Sequence, residues 1–294
     1  MTILFAVPER QPADGARRPL LTVCAVVLCC VTYLSLWAGE QVTHLPLTKV
    51  AQFVAGLVPI WLLGDAPRPP ELSLVPLWLT PITAAFVHQG ILHLGFNMLW
   101  LWMFGRQLER ILGRLRYATL LVVAAYATAY FQALSVRTNI PVIGASGVIA
   151  AVLGGYAVLS PKSLVRVWFF PVGTFVPMPA LFPLGGWFIL DFLTTLDVLG
   201  KGRSDFIAHP AHLSGFLVGI GLAAVLRPAG IPLLDAGKPW PTLKFAANDR
   251  EPNPRIERWA RIFDRATRIM VITVFLGFLL SLVAAYFALG LRKF

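Results

Sequence analysis

A serine and a histidine in two separate glycine-containing motifs could together carry out acyl transfer. Ser146 lies in the run 144–147, Gly-Ala-Ser-Gly, and His212 lies in the polar segment 208–215. A serine hydroxyl is a poor nucleophile until a base takes its proton, and a histidine can do so near neutral pH. The two motifs therefore predict a catalytic dyad with Ser146 as nucleophile and His212 as base.

Acyl transfer also needs donors that stabilise negative charge on the carbonyl oxygen, and a third motif supplies them. His93 and Asn97 are four residues apart, so they share one face of a helix. With the backbone N–H of Ser146 they are suitable donors, and losing one such donor typically costs on the order of 10²–10³ in rate. The sequence thus predicts an oxyanion site formed by His93, Asn97 and Ser146.

Other hydrolytic chemistries lack the residues that they need. A zinc protease would show an H-E-x-x-H run, which this sequence does not contain. An aspartyl mechanism needs two facing carboxylates. Asp191 is the one acid that lies clearly inside a long apolar run, which is predicted below to cross the membrane. We expect Asp191 to bond a neighbouring helix or to lie near a hydrated edge. Since no Ser-His-Asp triad is evident, the prediction is a dyad with neither a metal nor a cofactor.

Small residues beside the two catalytic motifs should let their helices approach closely. Gly144 and Gly147 flank the serine, while Gly215 and Gly219 follow the histidine at four-residue spacing. Glycine at a helix interface lets backbones come together. Close approach is required because proton transfer needs the serine and the histidine within about 3 Å of each other. We therefore predict these four glycines as helix-packing positions.

Membrane-spanning helices must position these motifs. Of the 294 residues, 57% are hydrophobic and only 13% are charged, which is too little charge to cover a water-exposed surface. A helix needs roughly 20 apolar residues to cross about 30 Å of hydrocarbon. Seven charge-poor runs reach or approach that length, at 20–38, 91–104, 117–134, 146–159, 179–196, 211–226 and 269–291. The sequence predicts an all-α membrane protein, a six-helix bundle with a seventh, C-terminal transmembrane helix.

Basic residues set the predicted orientation of the spans. The net charge of +11 resides in loops, where the positive-inside rule accounts for it without a nucleic-acid partner. Arg17 and Arg18 place the N-terminus in the cytoplasm, and alternation puts the other basic loops inside as well; the terminal Arg292 and Lys293 are the exception. Spans two, four and six then begin at the outer side, so the three motifs in their first turns lie at a similar depth.

The domain organisation follows from the spans. In order, we predict a cytoplasmic tail, a six-span catalytic core, a cytoplasmic basic linker and the seventh span, at 1–19, 20–226, 227–268 and 269–291. An outer first loop occupies 40–90 of the core. Within it, 50–63 has the pattern of a helix that lies in the membrane interface.

In motif order and spacing, the chain resembles the rhomboid family of intramembrane serine proteases. The resemblance covers roughly 20–226 and rests on 144–147, on Ala211-His212 with Gly215 and Gly219, and on His93 with Asn97. It implies a six-helix core with a water-filled cavity open to the outside. In that cavity Ser146 would be the nucleophile and His212 the general base, with His93, Asn97 and the Ser146 backbone around the oxyanion. It also implies cleavage of single-span membrane proteins near the outer membrane boundary, with span five, 179–196, as the lateral gate.

Two positions depart from the family pattern. Many members carry a tyrosine four residues after the serine, stacked on the base, where this chain has Ala150. His212 must then be oriented in another way. Many first loops carry a Trp-Arg pair, where this chain has Trp78-Leu79-Thr80, so the loop needs a different anchor.

Two other functions compete with proteolysis. A non-catalytic relative that binds membrane clients would be expected to lack the serine or the histidine, and both are present. A transporter or channel would need polar residues along the full depth of the bundle, whereas spans four and six are apolar beyond their first turns. We expect an integral protein of the bacterial inner membrane, since no organelle transit peptide is apparent, with an organelle membrane as the alternative. Its expected partners are transmembrane protein substrates and the lipid bilayer, while the sequence identifies neither the substrate nor the oligomeric state.

Overall fold

A bundle of helices with one small sheet makes up the described part of the chain. The computed structural model describes residues 5–6, 18–169, 174–201 and 208–234. Its helices are α1 (Leu20–Thr43), α2 (Leu47–Val54), α3 (Pro59–Leu62), α4 (Thr80–Thr83), α5 (Ile91–Trp100), α6 (Arg106–Leu112), α7 (Arg114–Ser135), α8 (Ser146–Leu159), α9 (Leu181–Lys201) and α10 (His209–Leu226). The predicted helical bundle is confirmed. The predicted seventh span, and the basic linker beyond residue 234, lie outside the described residues.

Three of the described helices are long and apolar enough to cross a membrane, judged by length and composition: α1, α7 and α10. The second predicted span, 91–104, is longer in the structure than in the sequence pattern. There α5 continues through a π-helical turn, Leu101–Gly105, directly into α6. The number of spans in the whole chain stays a prediction.

Helix α8 lies at the centre of the bundle, and its composition explains why. It is apolar all round, and 12 of its 14 residues are buried. A helix that is hydrophobic on every face is stable only when other elements surround it. Fourteen residues rise roughly 21 Å, which is less than the ~30 Å of hydrocarbon in a bilayer. Helix α8 on its own is therefore too short to cross such a layer from one surface to the other.

Glycines bring α8 and α10 into direct backbone contact. A Cβ atom added at Gly154 of α8 would lie 1.9 Å from a carbonyl oxygen of α10. Cβ atoms at Gly215 and Gly219 of α10 would lie 2.2 and 1.9 Å from carbonyl oxygens of α8. No side chain fits at such distances, so this helix pair depends on glycine. Gly147 of α8 packs in turn against Thr128 of α7.

A three-stranded sheet lies beside the bundle, and the sequence analysis did not predict it. The strands are β1 (Phe5–Ala6), β2 (Leu164–Phe169) and β3 (Thr174–Pro179), in the order β1-β2-β3 with both pairs antiparallel. In β2 and β3 the pairing runs from Leu164 opposite Pro179 to Phe169 opposite Thr174. The all-α prediction therefore holds for the bundle, while the segment between α8 and α9 contains a hairpin.

The predicted interfacial helix 50–63 is two shorter helices, α2 and α3, separated at Gly56. A Cβ atom at Gly56 would lie 2.8 Å from the Ile143 side chain, so the chain passes close to the loop before α8. Leu57 and Val142 exchange backbone hydrogen bonds of 3.0 and 2.7 Å there. The first loop is thereby fastened two residues before Gly144-Ala145-Ser146.

Arg68 provides the loop anchor that the sequence analysis left open. Its guanidinium lies 5.6 Å from the centre of the Trp61 ring, within reach of a cation–π interaction. It also donates to the carbonyl oxygens of Val54, at 2.6 Å, and of Val75. A single arginine therefore joins α2, α3 and the segment before α4.

A buried carboxylate connects the start of α1 to α6. Glu109 is 2% exposed and accepts hydrogen bonds from the N–H groups of Leu21 and Thr22, at 3.0 and 2.8 Å. The Thr22 hydroxyl donates to it as well, at 2.8 Å. The first N–H groups of a helix have no partner within the helix, and Glu109 accepts hydrogen bonds from two of them. Its negative charge also interacts favourably with the positive end of the α1 helix dipole.

Candidate active site

One cavity of about 630 Å³ contains all four predicted site residues. Its wall is formed by α5, α7, α8, α9 and α10 together with the loop before α8. Ser146, His212, His93 and Asn97 all line it, so the structure brings the three motifs together. Much of the remaining wall is apolar and includes Phe96, Trp100, Ile149, Leu153 and Trp187. The arrangement is that of a polar cluster inside a largely apolar pocket.

Ser146 is the first residue of α8, and the turn that precedes it requires glycine. Gly144 has a φ of +100°, a conformation that side-chain-bearing residues rarely adopt. A Cβ atom there would also lie 2.6 Å from Nε2 of His93. Gly144 therefore precedes the helix instead of packing two helices together, which corrects its predicted role. Its absent side chain lets the His93 ring lie against the turn that carries Ser146.

The start of α8 brings backbone donors to the edge of the cavity, because Ser146 lines it. The first N–H groups of an α-helix point away from its end and have no partner in the helix. They also lie at the positive end of the helix dipole. Because Ser146 is the first residue of α8 and lines the cavity, an anion beside it would meet these groups.

His93 and Asn97 share one face of α5, as their spacing predicted, but part of the asparagine amide is already used. Nδ2 of Asn97 donates to the carbonyl oxygen of His93 at 2.9 Å. An amide nitrogen has two protons, so one remains for another acceptor. His88 contacts His93 edge to face, with ring centres 5.0 Å apart. That contact restricts the orientation of the His93 ring.

His212 lies in the first turn of α10 and is held by two residues of α9. The centre of its ring lies 5.9 Å from that of Trp187, with the planes inclined by 40°. Its Nδ1 lies 3.3 Å from Oδ1 of Asp191. Nδ1 of His209 lies 2.6 Å from the same carboxylate oxygen. The bond expected between Asp191 and a neighbouring helix is therefore present, and it reaches the predicted base.

The aromatic contact missing at Ala150 comes from α9 instead. Ala150 is fully buried in α8 and lines the cavity, so no ring projects from that position. Trp187 approaches the imidazole of His212 and also packs against Phe216, at 6.1 Å between ring centres. Sequence spacing could not reveal that Trp187 contacts His212, because the two residues lie on different helices.

Ser146 and His212 line the same cavity without a direct hydrogen bond between them among the described residues. Catalytic hydrogen bonds are often long before substrate binds, and one water can bridge them. The structure thus places the predicted nucleophile and the predicted base in one pocket.

Gln132 of α7 is a cavity residue that the sequence analysis missed. Its Oε1 accepts a hydrogen bond from the backbone N–H of Ala211 at 3.1 Å, and the residue is 5% exposed. It thereby satisfies one of the unpartnered N–H groups at the start of α10, next to His212. A buried glutamine in an apolar helix was the signal available in the sequence.

Three potential metal ligands also meet at this site. The ligand atoms of Asp191, His209 and His212 all lie within 4.8 Å of one another. No metal site was predicted from the sequence. The three residues could not be grouped from their spacing, because they lie on two different helices. The same three side chains also satisfy one another by hydrogen bonding, as described above.

Comparison with known proteins matches the part of the chain that forms the cavity. The family model described as Rhomboid domain matches residues 77–229. Rhomboid protease GlpG of Yersinia pestis (strain Pestoides F) is 30% identical over 142 residues, which cover 48% of this chain and 46% of that protein. Rhomboid protein 1, mitochondrial, of Saccharomyces cerevisiae is 33% identical over 147 residues, which cover 47% and 39%. The chain thus spans less than half the length of these curated relatives.

Proposed function

The chain belongs to the rhomboid family, since the matched domain covers more than half of it, and we propose that it is an intramembrane serine endopeptidase. The observation that carries the proposal is the shared cavity of Ser146 and His212, each in the first turn of its helix. Similarity to proteins named rhomboid proteases supports the same reading. The family and the long apolar helices make the chain an integral membrane protein.

In the proposed mechanism the hydroxyl of Ser146 attacks the carbonyl carbon of the scissile peptide bond. His212 takes the hydroxyl proton and later gives it to the leaving amine. An acyl-enzyme results, and water then releases it by the reverse sequence of proton transfers. Both residues lie in a pocket whose wall is mainly apolar, where electrostatic interactions are stronger than in water.

The negative charge on the carbonyl oxygen is proposed to be stabilised by His93, Asn97 and the backbone N–H of Ser146. Asn97 retains one amide proton beyond its bond to the His93 carbonyl. The start of α8 adds the positive end of a helix dipole. These donors are held before substrate arrives, which is the condition for effective oxyanion stabilisation.

The proposed substrates are single-span membrane proteins, cut near the outer boundary of the membrane. The first turns of α8 and α10 lie at the same end of a tightly packed helix pair. Because α8 is shorter than the hydrocarbon layer, its first turn can lie below the surface and still receive water through the cavity. We also propose a cytoplasmic N-terminus and the bacterial inner membrane, from the basic loops.

Purified protein in liposomes with a generic single-span substrate tests the proposal. We expect the wild type to cut the substrate, Ser146→Ala to abolish cleavage, and His212→Ala to lower kcat by roughly 10²–10⁴, the usual contribution of general acid–base catalysis. Ser160→Ala is the matched control, because Ser160 is a buried serine immediately after the opposite end of α8. Equal cleavage by the wild type and Ser146→Ala would refute the proposal, and would favour a non-catalytic client-binding relative if substrate still bound.

A further inference from the structure

A hydrogen-bonded carboxylate lies behind the proposed base, although the sequence predicted a dyad alone. We infer that Asp191 is a positioning residue: it holds the His212 ring in the tautomer and orientation that the proposed protease mechanism requires. This inference rests on the proposed function. It concerns a residue of α9 that does not line the cavity and therefore acts on substrate only through His212.

The geometry brings one carboxylate oxygen between two imidazoles. Oδ1 of Asp191 lies 3.3 Å from Nδ1 of His212 and 2.6 Å from Nδ1 of His209. His209 and His212 are three residues apart in the first turn of α10, so both face α9. Trp187, four residues before Asp191, lies on the same face of α9 and contacts the His212 ring. Two consecutive turns of α9 therefore hold the base.

The Asp191 carboxylate is buried, and burying a charged group costs free energy unless hydrogen bonds compensate for it. Asp191 is 6% exposed, and its Oδ2 has no hydrogen-bond partner among the described residues. Leu190 and Leu193 flank Asp191 in the same turn of α9 and are exposed, so the carboxylate lies on the inward side of a helix whose outer side is apolar. A buried carboxylate is destabilising unless it is paired or hydrogen-bonded. In this chain its two partners are the histidines that begin α10.

The carboxylate of Asp191 determines which ring nitrogen of His212 carries the proton. An ionised carboxylate only accepts hydrogen bonds, so the Nδ1 that faces Asp191 carries the ring proton. Nε2 of the neutral ring is then unprotonated and is the nitrogen free to take a proton from Ser146. When it does so, His212 becomes positive beside the negative Asp191. The interaction is stronger in the transition state than in the resting enzyme, which is the condition for a catalytic effect.

His209 has a complementary part in this arrangement. Its 2.6 Å bond to Oδ1 is the shorter of the two, so it restrains the carboxylate against rotation. His209 is not among the residues that line the cavity. A carboxylate anchored by His209 can orient His212 without moving toward the substrate. Asp191, His209 and Trp187 together orient the His212 ring, which in many family members is the role of an aromatic side chain at the position of Ala150.

Kinetics of Asp191 variants test the inference in the liposome assay. We expect Asp191→Ala to lower kcat by about 10²-fold, within the roughly 10²–10⁴ that general-base catalysis contributes. KM should stay constant, because Asp191 does not line the cavity. Asp191→Asn keeps a carbonyl oxygen that can accept from Nδ1, so it should retain more activity than Asp191→Ala. Labelling of Ser146 by a fluorophosphonate should slow in the same order as kcat.

The control is Thr195→Val, one turn further along α9. Thr195 is 1% exposed and its hydroxyl donates to the Asp191 backbone carbonyl at 2.8 Å, so the change perturbs the same helix without touching His212. It should leave kcat unchanged. Equal loss of activity in Thr195→Val and Asp191→Ala, or full activity in Asp191→Ala, would overturn the inference.

Two further outcomes separate this inference from its alternatives. If the wild type cuts the substrate and Ser146→Ala does not, while Asp191→Ala retains wild-type kcat, the positioning role fails and the proposed protease function stands. If the wild type itself is inactive, both fail together. Loss of wild-type activity on treatment with a chelator, restored by Zn²⁺, would also overturn the inference, because a metal and not a hydrogen bond would then hold the ring.

Discussion

Replacing Gly219 by alanine should separate the two helices that carry the proposed nucleophile and base. Gly219 lies in α10, where a Cβ atom would be 1.9 Å from the carbonyl oxygen of Ala151 in α8. Ordinary van der Waals contact begins at 3.4 Å, so that gap must widen by about 1.5 Å, from 1.9 to 3.4 Å. The obstructing atom belongs to the backbone of a buried helix and cannot rotate away. The substitution must therefore move α10 relative to α8.

The displacement sets the size of the expected effect. A misplacement of about 1 Å can cost roughly 10²-fold in rate, even when the mutation is far from the chemistry. We expect kcat/KM of Gly219→Ala to fall by about 10²-fold and its stability to fall by about 1–3 kcal/mol, as for other overpacked sites. The assay is cleavage of a single-span substrate in liposomes, with thermal unfolding in detergent measured in parallel.

Gly221→Ala is the matched control for this prediction. Gly221 lies two residues further along the same helix, is exposed, and a Cβ atom there would meet nothing within 4 Å. Alanine is favoured over glycine in a helix by about 1 kcal/mol, so this variant should be as active as the wild type and no less stable. Wild-type kcat/KM in Gly219→Ala, or equal damage in both variants, would refute the packing argument.

Two other substitutions test the turn before α8 and the carboxylate at α1. Gly144→Ala should lower kcat by about 10²–10³, because its Cβ would displace His93 and thereby remove one proposed oxyanion donor. Gly90→Ala should not, since Gly90 is extended and has open space around it; wild-type kinetics in Gly144→Ala would contradict the assignment. Glu109→Gln should lower the free energy of unfolding by about 1–3 kcal/mol, because an amide cannot accept all three hydrogen bonds that the buried carboxylate receives. Thermal unfolding should show no such loss for Glu71→Gln at an exposed site, and equal shifts in both variants would argue against the capping role.

The meeting of the three motifs could be predicted because it depends on few variables. Apolar runs of suitable length indicate helices, and the alternation of spans places the first turns of every second helix at one depth. Ser146, His212, His93 and Asn97 all lie near those first turns. Their presence in one cavity follows once the helices pack, and the glycines of α8 and α10 indicated which pair packs most closely.

The contact between Asp191 and the two histidines could not be predicted in this way. It depends on the rotation of α9 about its own axis, and that helix is apolar on most of its surface, so no hydrophobic face indicates which side is buried. Asp191 could be identified as an unusual intramembrane acid, but its partner could not. Gln132 is similar, because its bond to Ala211 joins residues 79 positions apart.

The hairpin β2–β3 was missed for a different reason. The strands follow α8 closely, and their sequences, LVRVWF and TFVPMP, are apolar apart from one arginine and one threonine. A short apolar run cannot be distinguished by periodicity alone from a helix end or a loop. Pro177 and Pro179 in β3 argue further against a strand. The pairing of β2 with β3 is what makes the segment extended.

A fluorophosphonate probe followed by peptide mass spectrometry shows whether His212 activates the hydroxyl of Ser146. The reagent labels a serine whose hydroxyl is activated by a base. We expect Ser146 of the membrane-embedded protein to be labelled, His212→Ala to abolish the label, and Ser160 to remain unmodified. Labelling of Ser146 at an equal rate in the wild type and His212→Ala would contradict this expectation, as would the absence of any label on Ser146.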